Sequence, residues 1–440
     1  MQLFADELPP TQVPSRRRLH VMGLKGDDYH FAFDLVASQR AISRMSAAFP
    51  MEGTGYVTTL LPKVHGQVSD NFAFSTDIAY RFLYGEQFDD LFPDEASYVQ
   101  SEGDLLNKTA IDAYLKFKLP WFELQIGQDN LRWGPAYNGA LIVSENPISM
   151  DMMKLQATYK HITFSAFTGI LEDTNPEINL KYLSGHRIEG YLWNRLGLGL
   201  SEVVVYGNRF EPGYLNPVTV YLASAANIER GDSRAIGTGD NVLISVDSRL
   251  RLIDNLEIYG ELMVDDGNPA AEFHNWDTKF GILGGIYVTD PFGIFDTDLH
   301  LEYAFINQYA YTHETPVNVY KHFSSVIGHH IGSDADNLWI ELRHRFTDKL
   351  ESTLTYELER HGEGNVNKSH PPDAPADDRW TPLSGITQSE HGITFGINYT
   401  AIGRYSFAVD FRQIWVRNLG NQAGINETGR EIRVKALHRF

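Results

Sequence analysis

The last ten residues, EIRVKALHRF, alternate. Ile432, Val434, Ala436 and Phe440 fall on one face with His438, and Arg433, Lys435 and Arg439 fall on the other with Leu437. A period of two is the signature of a strand whose faces meet different surroundings. The pattern recurs along the chain. Leu256, Ile258, Leu262 and Val264 oppose Glu257, Tyr259, Glu261 and Asp265; Leu338, Ile340, Leu342 and Phe346 oppose Glu341, Arg343 and Arg345. Leu350, Leu354, Tyr356 and Leu358 oppose Glu351, Glu357 and Glu359, while Ile111, Leu115, Phe117 and Leu119 oppose Asp112, Lys116 and Lys118. In a soluble protein the apolar faces would meet a core. In an outer-membrane barrel they meet lipid, and the charged faces line a wet lumen.

About eighteen such strands are predicted, the first at 29–36, most of them near the length that a tilted membrane strand needs. The connections alternate in length. Short turns fall at 69–70, 120–121, 160–161, 194–197, 253–255, 291–295, 347–349 and 402–404. Longer loops fall at 41–55, 85–106, 130–151, 172–184, 208–239, 266–276, 309–335, 361–387 and 418–428. Short turns on the periplasmic side and long loops outside are the rule for outer-membrane barrels, and an even strand count returns both termini to the periplasm. A soluble sandwich has no reason to keep its loops one-sided, and so many charged inward faces would bury unpaired ions at prohibitive cost. The expectation is an all-β membrane protein: an antiparallel transmembrane barrel over 28–440 in the bacterial outer membrane, preceded by a periplasmic segment over 1–27.

Composition agrees. Mean hydropathy is slightly negative and no run of eighteen apolar residues occurs, which rules out a transmembrane helix but not alternating strands. The 25 Phe and 22 Tyr suit strands and interfacial girdles. The absence of cysteine removes thiol nucleophiles and thiolate metal sites, and a net charge of −20 argues against nucleic acid. The first twenty residues lack an apolar signal core, so the barrel reading expects a precursor with a signal peptide upstream. The terminal Phe440 is the expected barrel-assembly signal. The expected partners are outer-membrane lipid and lipopolysaccharide, the barrel-assembly machinery and other outer-membrane subunits.

A ring of this size leaves an aqueous channel unless something fills it. Two long loops are too apolar to hang in solvent. In 131–147, Trp133 and Tyr137 precede the run Ala140-Leu141-Ile142-Val143. In 213–232, Asn216 can cap a helix whose first residue is Pro217 and which Gly231 ends. These segments are expected to occlude the lumen or its outer mouth.

The stretch LQIGQDNLRWGPAYNGALIVSENP resembles the Wzi-type capsule-assembly family, at Arg132, Trp133, Gly134, Pro135, Gly139, Leu141 and Ser144. Ala136 stands where the family usually has glycine. The resemblance continues in order through SGHRIEGYLW (His186, Arg187), GLSEVVVYG (Ser201, Glu202, Tyr206, Gly207) and YLNPVTVY (Leu215, Asn216, Pro217), over roughly 110–265. It implies an eighteen-stranded barrel closed by inserted helices and loops, which holds exported capsular polysaccharide at the surface without catalysis. Candidate ligand-binding residues are then Arg132, Trp133, Tyr137, Asn216, Tyr221 and Arg230. Arg132 and Trp133 admit two readings: stacking and hydrogen bonding to sugar, or locking the loop against the wall with Arg132 paired to a lumen carboxylate. A motif built on Gly and Pro favours the second.

Other clusters carry less. Glu86, Asp89, Asp90, Asp94, Glu95, Glu102 and Asp104 crowd one outer loop, which would repel an acidic polymer unless divalent cations bridge the two; a solvated loop is the simpler reading. His313, His322, His329 and His330 share a loop with Asp334 and Asp336 and read as surface residues, so no metal is expected there. Lumen carboxylates are expected to pair with Arg249, Arg251, Arg343 and Arg412; no pair stands out for glycoside hydrolysis, and no nucleophile elbow or phosphate loop occurs, so no catalytic residue is expected. The alternatives to polysaccharide binding are an accessory subunit of a larger complex and a narrow selective pore.

Overall fold

The computed structural model describes residues 20–440 except 47, 50–51, 87–98, 103–104, 225–238, 266–274, 372–378 and 402–403. Among these, eighteen antiparallel strands form the wall. They are β1 (Tyr29–Met45), β2 (Gly53–Val68), β3 (Phe72–Gly85), β4 (Leu105–Leu119), β5 (Phe122–Asp129), β6 (Met150–Tyr159), β7 (Ile162–Leu171), β8 (Lys181–Leu192) and β9 (Leu196–Gly207). The second half comprises β10 (Asn241–Ile253), β11 (Leu256–Asp265), β12 (Lys279–Thr289), β13 (Thr297–Ile306), β14 (Ala335–Thr347), β15 (Leu350–His361), β16 (Gln388–Ala401), β17 (Tyr405–Arg417) and β18 (Asn426–Arg439). Each strand pairs with the next, and β18 returns to β1 in the register Val36↔Arg439 to Met45↔Arg430, which closes the ring and leaves the wall no edge. Sheet pairing already begins at Met22–Lys25, which lies against His30–Phe33. No described helix is long and apolar enough to cross a membrane.

The alternation sorts the side chains as expected. On β11, Ile258, Leu262 and Val264 are 40–48 % exposed, whereas Tyr259, Glu261 and Asp265 are at most 4 % exposed. Oily side chains point out, and ionised ones point in. Trp121, Tyr159, Trp193, Phe292, Phe295 and Phe346 are exposed beside the short turns, an aromatic girdle at the periplasmic interface. Phe440 donates its backbone N–H to Leu35 O (3.0 Å), and its ring lies 4.1 Å from that of His438.

Two expectations need correction. The first strands run to 17 and 16 residues, so the predicted loop 41–55 shrinks to 46–52. No strand breaker interrupts Ala41–Arg44, whose pairing continues to Arg44↔Gly53; Arg44 bonds Glu431 (2.6 Å), and Ala48 and Phe49 fold inward onto Ile414 and Val416. The helix from Pro217 does not form there. A 3-10 turn spans Pro212–Leu215, and Asn216 caps only Val218 N (3.3 Å). Helical residues begin at 221, after the β-branched run Val218-Thr219-Val220. Wall residue Glu202 supplies the cap there, accepting from Tyr221 N and Leu222 N, both at 2.9 Å. Gly231 lies outside the described residues.

Candidate functional site

The lumen between β5 and β14 is filled by two loops, one of which the sequence suggested; the other suggested segment, described as far as residue 224, docks on the wall at Glu202, Val204 and Tyr206. The first, 130–149, is the expected one: Leu141, Ile142 and Val143 are buried against Met263, Leu283, Leu183 and Val203 of the wall. The second is 307–334, whose Ala310, Tyr311, Tyr320, Ile327 and Ile331 belong to the same cluster. The two loops are stitched together. Tyr311 and Tyr320 donate their hydroxyls to Leu141 O and Ile142 O, each at 2.5 Å, and Ser144 N bonds Ile327 O (2.8 Å).

The wall grips this plug with carboxylates. Glu261 accepts from Leu141 N (2.9 Å), Ile142 N (3.1 Å) and Ser245 Oγ (2.9 Å). Glu302 accepts from Tyr137 N (2.8 Å), Asn138 N (3.1 Å) and the Tyr259 hydroxyl (2.7 Å). With Glu202, three wall glutamates each take two consecutive backbone amides of an inserted segment. Loop amides buried inside a barrel have no ladder partner, so an acceptor must come from the wall. Glycine lets the chain approach: a Cβ on Gly134 (φ +129°) would lie 2.8 Å from Glu261, and one on Gly139 (φ +142°) 2.9 Å from His329.

The candidate sugar-binding residues fall in different places. Arg132 bonds Ala136 O within its own loop and lies 4.0 Å from Glu145, not from a lumen carboxylate. Trp133 is 5 % exposed, its ring edge-on to Phe167 at 5.1 Å, and its backbone N–H donates to Val143 O (3.0 Å). Both hold the loop. Tyr137 keeps 38 % of its surface exposed; it lies under Arg249, beside Tyr259 and His300, and its hydroxyl reaches Glu257 (3.4 Å). Burial, then the Glu257 charge, pushes its phenol above the ordinary value. Below Gly134 and Pro135 lies a polar pocket of about 180 Å³, lined by Arg187, Glu189, Tyr191, Asp247 and Arg249. Asn216 is exposed at the outer mouth, while Tyr221 is buried against His186 and Tyr214. Arg230 lies outside the described residues, as do Asp89, Asp90, Asp94, Glu95 and Asp104, and the side chain of Glu102 is not described.

His322 and His329, read as surface residues, are buried within the plug. Burial, aided by Lys181, lowers the His322 imidazole to about 4, and its Nδ1 accepts from Glu172 N (2.9 Å). Asp334 accepts from Gly364 N (2.8 Å) and from Ser384 N (3.0 Å), tying the plug to the next outer loop. Of the expected lumen networks, Arg249 meets Glu257 (3.3 Å), Arg343 meets Glu341 (2.8 Å) and Arg412 meets Glu390 (2.8 Å). Missed altogether was an aromatic group at the outer mouth: Trp276 stacks on His370 at 3.9 Å, with Tyr309 and Trp380 beside them.

The family model described as Capsule assembly protein Wzi matches residues 58–425. The chain belongs to the Wzi capsule-assembly family. No curated protein matches its sequence. Among solved structures it is similar to Wzi of Escherichia coli, an outer-membrane protein involved in group 1 capsule assembly and a carbohydrate-binding β-barrel (TM-score 0.55, 12 % identity, 92 % of this chain and 83 % of that chain). It is also similar to OpdO of Pseudomonas aeruginosa (0.53, 10 %, 94 % and 97 %) and OprD of the same organism (0.52, 9 %, 93 % and 95 %). At such identities the likeness shows the fold: an outer-membrane barrel. The Wzi-like segments turn out to be parts of the clamp. His186 bonds Glu202 (3.1 Å) and packs on Tyr221, Tyr206 contacts Tyr214, and Arg187 grips Asp247 with two bonds (2.5 and 3.0 Å).

Proposed function

We propose that this barrel binds surface polysaccharide at its outer mouth and neither transports nor cleaves it. The reading rests on the Wzi family match together with the filled lumen: two loops held by buried wall carboxylates leave the outer loops as the surface for a polymer. That surface offers apolar and aromatic contacts suited to the C–H faces of sugars, with Phe210, Val218 and Val220 exposed on one loop and Trp276, partly exposed over the buried His370, on another. Glu202, Glu261 and Glu302 are each occupied by backbone amides, which ill suits them to act as general acids. The exposed girdle and Phe440 support lipid contact and insertion by the barrel-assembly machinery. The test is binding of the detergent-solubilised protein to polysaccharide extracted from its own cell surface. Binding that weakens at least ten-fold in Phe210→Ala or Trp276→Ala is the expected result. No binding, or large steady single-channel conductance in planar bilayers, would overturn the proposal, and the latter outcome would favour the pore.

A further inference from the structure

Near the periplasmic end of the wall, opposite the inserted loops, His20, Asp34 and His65 converge. His20 comes from the segment that leads into the barrel, Asp34 from β1 and His65 from β2. His20 Nδ1 lies 2.9 and 3.1 Å from the two Asp34 oxygens, and its ring is 5.5 Å from that of His65 and 5.8 Å from that of His30. One ligand atom from each of His20, Asp34 and His65 falls within 4.8 Å of the other two. Alternation puts these wall residues on one face. Ala32, opposite His65 in the ladder, lies between His30 and Asp34 on the inward face of β1, and its small side chain leaves the ring of His20 room.

We propose that this cluster is a binding site for one divalent transition-metal ion of the zinc, cobalt or nickel type. Three atoms within 4.8 Å of one another surround a point at most about 2.8 Å from each, so inward movement of under 1 Å brings all three to the 2.0–2.2 Å of zinc–nitrogen and zinc–oxygen bonds. Two imidazoles and one carboxylate select a borderline transition ion over calcium or magnesium, which take oxygen donors. The fourth position falls to water. The nearby cation does not compete: Lys63, opposite Asp34 in the ladder, is paired to Asp77 on the next strand. Bound here, the ion ties position 20 to positions 34 and 65 at the periplasmic mouth, just ahead of the point where Met22–Lys25 enters the ladder against His30–Phe33.

The test uses the full chain in detergent, stripped with a chelator and then equilibrated with Zn²⁺ or Co²⁺. One equivalent of zinc retained per chain, and an intense visible cobalt spectrum of low coordination number, are expected. His65→Ala and Asp34→Ala should each weaken retention ten-fold or more, with His65→Asn as the milder variant should the alanine form fail to show heat-modifiable mobility of a folded barrel. His330→Ala should leave retention unchanged, although His330 also lies near two carboxylates, Glu357 and Glu359. Retention below one equivalent, retention unaffected by His65 and Asp34 substitution, or retention lost only in His330→Ala would overturn the proposal.

Discussion

Replacing Glu261 with alanine should loosen the plug without opening the barrel wall. Glu261 is 4 % exposed and accepts from two amides of the inserted loop and from Ser245. Three donors converge on its two oxygens, so its whole role at this site is that of an acceptor. Without it, Leu141 N and Ile142 N lose their partner among residues that are fully buried. A buried donor left without an acceptor costs roughly 1–3 kcal/mol, so the two amides together cost about 2–6 kcal/mol. Water entering the vacated volume keeps the loss near the lower end, which is still about a thirty-fold shift toward the undocked loop. The wall itself keeps every ladder bond on either side of β11, so the loss falls on the loop. The assays are single-channel recording in planar bilayers and limited proteolysis of 130–149 in detergent. Glu261→Ala should show frequent open events and new cleavage. Glu257→Ala, on the same strand but engaged, among the described residues, with the Tyr137 hydroxyl and Arg249, should show few. Were Glu261→Ala indistinguishable from the parent in both assays, the amide clamp would not be what holds the loop.

Acid should act on the same plug through His322. Its folded pKa lies near 4, below the 6.5 of the unfolded chain, so the neutral form's contribution is complete above pH 6.5 and is lost as pH falls toward 4. The full loss is on the order of 3 kcal/mol; conductance and proteolysis at pH 7.5 and 4.5 should differ in the parent, and a His322→Gln protein should show a smaller difference. Gly139→Ala places a Cβ at a φ of +142° against His329 and should expose the loop to protease, whereas Gly284→Ala, on an ordinary strand backbone with its nearest neighbour 3.9 Å away, should not. Trp133→Ala should destabilise the folded barrel by about 3–5 kcal/mol, as for a buried indole, read as a lower thermal transition, and affect polysaccharide binding less than Trp276→Ala does. Loss of Phe440 should reduce the yield of heat-modifiable barrel in the outer membrane, read by gel mobility.

Much of this was legible in the chain. Alternation at Leu256–Asp265 told which side chains meet lipid, because a strand with two solvents must sort its residues at a period of two whatever lies beside it. The short turns announced themselves for a related reason: neighbouring antiparallel strands need only two or three residues to reverse. The run Ala140–Val143 was too apolar for solvent and is buried, since exposed apolar surface must find a partner somewhere. What stayed hidden was every feature made by distant partners. The histidines of loop 309–335 read as surface residues, but the Tyr311 amide is taken by Asp265 (2.5 Å) and Asp334 is satisfied from 364 and 384, so polar residues could be buried there. His20, Asp34 and His65 are unremarkable in sequence and meet only because β1 and β2 run side by side. The local pattern thus determined the wall, because each strand's two faces are set by its own residues. The closed ring decided the plug, its clamps and the clustered histidines, because hydrogen bonds and charge contacts depend on which strands the ring brings together, and no short stretch of chain records that.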